Sequence, residues 1–151
     1  MAQDDIVGKI QTVLGPISPE QLGVTLTHEH MLVDLANVFE PPESASAKGV
    51  FYGPLTEEAL AQVRYYGARN LDNSRLFDVP TAIDEVNLYK QHGGNSLVDV
   101  TSIDIARDPV GLARISRATG VNIIMGGSHY VAVTHPADMD SRSEDEIVES
   151  I

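Results

Sequence analysis

His28 and His30, one residue apart in Thr27-His28-Glu29-His30, are the side chains in this 151-residue chain best suited to hold a metal ion. They follow Gly23-Val24-Thr25-Leu26, an alternating, β-branched run that reads as a short strand over 24–30. Side chains on a strand alternate with period two, so both imidazoles leave on one side and Glu29 on the other. Neutral imidazole is the commonest protein metal ligand, and two of them one pleat apart can close on one cation. The same spacing also suits two histidines that cap a strand and bind nothing. With no cysteine in the chain, thiolate ligands and disulfides are excluded. A metal here would take imidazole, carboxylate or other oxygen donors.

A pair of this kind needs a rigid frame, and the sequence describes one. Two further strands are read at 96–101 (Ser-Leu-Val-Asp-Val-Thr) and 121–125 (Val-Asn-Ile-Ile-Met). Both are short, near-continuous apolar runs, as expected of strands buried on both faces of a parallel sheet. Between and after them lie helices with clear ends. Asp108-Pro109 is an N-cap with proline in the first turn, and Gly120 is the matching stop. Thr81 with Asp84 resembles a capping box, with Ile83, Val86 and Tyr89 on one face before Gly93-Gly94. Thr56-Glu57-Glu58 opens a helix carrying Leu60 and Val63, and Ser143 with Glu146 opens the last. Strand, excursion, helix, strand, helix, strand, helix is an α/β order, with parallel strands joined by right-handed crossovers. The stretches 37–54 and 70–79 read as long surface loops following the histidines, a position usual for functional lids.

Composition narrows the partners. The formal charge of −12 argues against nucleic acid and against anionic membrane surfaces. No apolar run approaches the roughly 20 residues needed to span a bilayer, and the acidic start Met1-Ala2-Gln3-Asp4-Asp5 carries no secretory signal. A soluble, cytoplasmic chain acting on a small molecule is expected, with a homodimer as a possible assembly. The other polar candidates read as structural. Asp99 is expected to accept from neighbouring backbone donors, Asp108 to cap a helix, and Arg107 to pair with an acid. His129 reads as a solvated rim residue, His135 as a loop residue, and His92 as a cation favoured beside a helix C-terminus.

The segment from Gly8 to Ile17 (Gly-Lys-Ile-Gln-Thr-Val-Leu-Gly-Pro-Ile), followed by Leu22 to His30 with its Thr-His-Glu-His end, resembles the opening of the phosphotriesterase family. That family belongs to the amidohydrolase superfamily of metal-dependent TIM-barrel hydrolases. Leu97-Val98-Asp99-Val100-Thr101, Ile105-Ala106-Arg107-Asp108 and Ala118 to Ile124 with Gly126-Gly127 extend the likeness in order along nearly the whole chain. The region 37–79, with Tyr65-Tyr66-Gly67-Ala68-Arg69-Asn70, is more similar to the phosphotriesterase-related branch than to the organophosphate-degrading enzymes.

The resemblance implies the N-terminal portion of a (β/α)8 barrel, about three of eight strands, with residues 1–151 forming a single partial domain. It implies two divalent cations, usually zinc, at the C-terminal mouth of the barrel, where a bridging hydroxide attacks an ester, lactone, amide or phosphotriester. His28 and His30 match the strand-one ligands of the more buried metal. Tyr130 matches a position where the family puts an aromatic residue in the substrate pocket, and a tyrosine there favours a carboxylic substrate. The family's remaining ligands, a carboxylated lysine or glutamate, two histidines and an aspartate, match nothing within 1–151. The chain also stops at Ile151, about two turns into its last helix. The expectation is therefore a chain truncated at its C-terminus and not catalytically competent alone, or a non-catalytic fragment that depends on a partner.

Overall fold

In the computed structural model, which describes residues 6–66 and 70–151, the chain opens with a hairpin that no hydrophobic period announces. Strands β1 (Ile10–Thr12) and β2 (Gly15–Ile17) pair antiparallel. Their turn is closed by the Thr12 hydroxyl donating to the Gly15 carbonyl at 2.7 Å. Gly15 takes φ 119°, a backbone state that favours glycine. The acidic start at residues 1–5 and the Gly67-Ala68-Arg69 part of the branch signature lie outside the described residues.

The first parallel strand, β3, covers Thr25–Glu29, inside the span read from the sequence. The two long excursions that follow are not bare loops. The first holds α1 (Lys48–Tyr52) and the second β5 (Arg75–Leu76); β4 (Val33–Asp34) precedes the first, and α2 (Glu57–Tyr66), between the two, is the helix that Thr56-Glu57-Glu58 opens. β4 and β5 pair antiparallel across 40 intervening positions, through Val33 opposite Leu76 and Asp34 opposite Arg75. Asn70 ties this region down from a fully buried position. Its side chain donates to the carbonyls of Val50 and Gly53, and its Oδ1 accepts from the Asn73 N–H.

Helix α3 runs Val79–Gln91, and its cap lies three residues before the expected cap, Thr81. The cap is Asp78, whose carboxylate accepts from the Thr81 N–H at 2.8 Å, with Pro80 in the first turn where it needs no donor. Strand β6 (Ser96–Asp99) follows, then α4 (Pro109–Thr119), β7 (Asn122–Met125) and α5 (Glu144–Ser150). α4 is capped by Asp108 and ends on Gly120 in the left-handed conformation, φ 69°. α5 begins with the Ser143/Glu146 capping box. These ends are as the sequence implies, because each cap is a local bond within four residues.

The parallel sheet has the spatial order β3-β6-β7, the same as the chain order. α3 and α4 pack on each other, and their apolar faces meet the sheet. Leu97 and Ile123, register partners on β6 and β7, join Val86, Leu112, Ile115 and Val121 in the core. On the alternate positions Val98 and Ile124 are only half-buried. Burial on both faces is thus not reached, because the described helices of this core cover one face. The β1–β2 hairpin lies against β7, the Val13 N–H donating to the Ile123 carbonyl at 2.9 Å. Among the described residues no helix is long and apolar enough to cross a membrane.

Candidate metal centre at the carboxyl end of the sheet

His28 and His30 lie at the carboxyl end of β3, with their rings edge to face at 5.6 Å between centroids. The ladder is not regular here. Leu26 pairs with Leu97 and Glu29 with Asp99, so three residue steps on β3 face two on β6. Such a bulge re-aims side chains, and it falls on Thr27 and His28. Glu29 lines a groove with Glu85, Val86 and Tyr89 of α3, the helix side of the strand.

His30 is held from the neighbouring strand. Its Nδ1 shares a hydrogen bond of 2.9 Å with the hydroxyl of Thr101, just beyond β6. With Nδ1 donating, Nε2 carries the free lone pair, the state a metal ligand needs. Asp99 sets the spacing of the two strand ends and is fully buried. One of its oxygens accepts from the Met31 N–H at 2.7 Å and the other from the Thr101 N–H at 2.9 Å. It is therefore a backbone clamp, as expected, and the clamp reaches across strands to the residue after His30. Thr101 itself has no sequence signal, since its role depends on a partner 71 residues away.

The two imidazoles suit a divalent cation as two of its ligands. Among the described residues no group of three or more His, Asp or Glu converges to complete such a site. Beside His30 lies a cleft of about 340 Å³, lined by Met31, Arg75, Leu76, Phe77 and Glu85 among others. The second excursion therefore reaches His30 through β5. Arg75 is anchored there by Asp34 at 3.3 Å.

A second cluster occupies the loops after β6 and β7. Tyr130 is exposed, and its backbone N–H donates to Asp104 Oδ2 at 2.7 Å. His129 is not a solvated rim residue: its side chain is 10% exposed, with Nδ1 at 3.0 Å from Asp104 Oδ1. A carboxylate opposite the ring draws it inward, an arrangement that spacing in the sequence cannot show. His135 stacks edge-on at 5.7 Å from His129. Burial on its own would raise the Asp104 carboxyl. The Tyr130 N–H, the His129 hydrogen bond and the charges of His129 and His135 outweigh it and hold the group below the usual aspartate range. Arg107 donates to the Gly126 carbonyl at 2.8 Å, where the sequence suggested an acidic partner. Asp108 caps α4, and His92 is the C-terminal cap residue of α3.

Strand–helix units in parallel order, with candidate ligands gathered at the carboxyl ends of the strands, define an α/β protein of the kind that binds ligands at that end. The sequence model of the Phosphotriesterase family matches residues 8–151, and the chain belongs to that family. It is 38% identical over 143 residues to an N-acetyltaurine hydrolase of Xenopus tropicalis, covering 94% of this chain and 41% of that relative. A phosphotriesterase-related protein of Drosophila willistoni is 36% identical over 131 residues, covering 85% of this chain and 37% of its own. The solved structure of a resiniferatoxin-binding protein from Rhodobacter sphaeroides is similar at TM-score 0.89 and 38% identity, over 95% of this chain and 40% of that one. These names agree with the phosphotriesterase-related branch read from the sequence. The chain spans about 40% of the length of the relatives it matches.

Proposed function

We propose that this chain supplies the first three strands of a (β/α)8-barrel hydrolase and the strand-one half of its metal site, with His28 and His30 as two ligands of a zinc ion. The barrel reading is supported by the winding. Strand order equals chain order, and α3 and α4 pack side by side, whereas a doubly wound sheet reverses direction at a switch point. The observation that carries the metal reading is the adjacent imidazole pair with His30 Nδ1 engaged by Thr101, which leaves Nε2 for a ligand. When bound, zinc in such a site supplies Lewis acidity and a lowered pKa for water, and the family resemblance extends this to two cations.

The chain's own residues do the rest. Asp99 and Thr101 hold the histidines in register, and the Tyr130 side chain at the mouth offers a hydroxyl to a substrate oxygen. Substrates with a carboxylic ester, lactone or amide bond suit that hydroxyl, and the relative named N-acetyltaurine hydrolase has an amide in its named substrate. A catalytic zinc keeps at least three protein ligands, so the 151 residues alone are proposed to bind metal without turning over substrate.

Zinc in excess is expected to raise the melting temperature of the chain by roughly 5–10 °C at about a hundredfold over Kd. His28→Ala and His30→Ala should each abolish that rise. A His28→Ala chain that responds to zinc as the wild type does would remove the metal reading. For the chemistry, the native protein is screened against lactones, N-acyl amides and phosphotriesters, and activity confined to phosphotriesters would overturn the carboxylic assignment.

A further inference from the structure

We propose that Asp104 is a positioning residue: its buried carboxylate ties the loop after β7 to the loop after β6 and fixes where Tyr130 stands, while its backbone carbonyl takes a bond from the loop after β3. Its use in catalysis rests on the reading of Tyr130 as a substrate contact; its mechanical role does not.

Each of the three loops contributes a bond. From the loop after β7, the Tyr130 N–H donates to Oδ2 at 2.7 Å and the His129 ring meets Oδ1 at 3.0 Å. From the loop after β3, the Asn37 side-chain amide donates to the Asp104 backbone carbonyl at 2.7 Å. Asp104 itself belongs to the loop after β6, in the 3-10 turn Ile103–Ile105. The carboxylate is 4% exposed, so water does not compete for these positions. A separate observation runs the same way: the 3-10 turns Ala36–Val38 and Ala132–Thr134 lie beside each other. The other ring nitrogen of His129, Nε2, is buried and has no partner among the described residues. The ring is thus oriented by Asp104 on one side and by packing against His135 on the other.

Charge type matters as well as shape. A carboxylate accepts at both oxygens, whereas an asparagine presents one acceptor and one donor. Asp104→Asn therefore keeps the volume but leaves one acceptor oxygen, which in the Oδ2 place keeps the Tyr130 bond and only the longer 3.2 Å contact to His129, and Asp104→Ala accepts from neither.

The chain contains no tryptophan, so Tyr130→Trp makes a single reporter at the position in question. In that background Asp104→Ala should raise the acrylamide quenching constant by about twofold or more, with Asp104→Asn in between. Leu88→Trp, exposed on α3, is the control and should not respond to either change. Should Asp104→Ala also disturb the control, the milder Asp104→Asn carries the comparison. Unchanged quenching at position 130 in a folded Asp104 variant would overturn the proposal.

In the native protein, Asp104→Asn should raise KM by about fivefold with kcat nearly unchanged, and should add nothing in a Tyr130→Ala background. An equal KM effect in both backgrounds would overturn the route through Tyr130. If Tyr130→Ala leaves KM untouched while the reporter still moves, the substrate role of Tyr130 fails and the tie itself stands.

Discussion

His30 is steadied by a hydroxyl, and the hydroxyl is steadied in turn by the chain. Thr101 meets Nδ1, while the Thr101 backbone is held by Asp99. Metal-ligating histidines generally need such a partner on the second nitrogen to fix ring and tautomer. Thr101→Val keeps the shape and removes the bond. It is expected to weaken zinc binding by about 10- to 100-fold in a competition titration, without reducing the number of imidazoles. An unchanged affinity would show that the ring is held by packing alone. At this scale the sequence is legible for identity and illegible for partnership. His28 and His30 stand out as types, and Asp99 is recognisable as a backbone acceptor. The bonds from Thr101 to His30 and from Asp104 to His129 join residues 71 and 25 positions apart, which no local pattern encodes.

Among the elements, the helix ends obey local chemistry and were readable for that reason. Asp108-Pro109 and Gly120 bracket α4, and Ser143 with Glu146 starts α5. α3 begins earlier than its box suggests because Asp78 satisfies the same Thr81 N–H from outside. The β4–β5 pair was beyond reading, since two-residue strands have no period and exist only through each other. The bulge in β3 is of the same kind, a mismatch that only the partner strand reveals. One element carries visible strain. Ala106 ends its 3-10 turn at φ 66°, the left-handed region where a Cβ crowds the following carbonyl. Ala106→Gly is therefore expected to stabilise the chain by about 1 kcal/mol, read as a higher urea midpoint at unchanged slope. A lower midpoint would mean that glycine's extra freedom in the unfolded chain outweighs the relief.

For the molecule as a whole, stability is concentrated on one side of the sheet. Ile115, fully buried on α4, sits in the cluster with Leu97, Ile123 and Val86. Ile115→Ala should cost about 2–5 kcal/mol, which equilibrium unfolding in urea can measure. That is a large share of the stability of any domain this size. The carboxyl end of the sheet is organised differently, by polar bonds between loops rather than by apolar packing, with Asp104 at their junction. Families of this architecture are commonly imagined as frames with interchangeable loops. Here the third loop is anchored by an atom that belongs to the second, which is itself gripped from the first. A loop transplanted alone from a relative would arrive without its anchor, so successful exchanges should travel as sets, Asn37, Asp104 and His129 moving together.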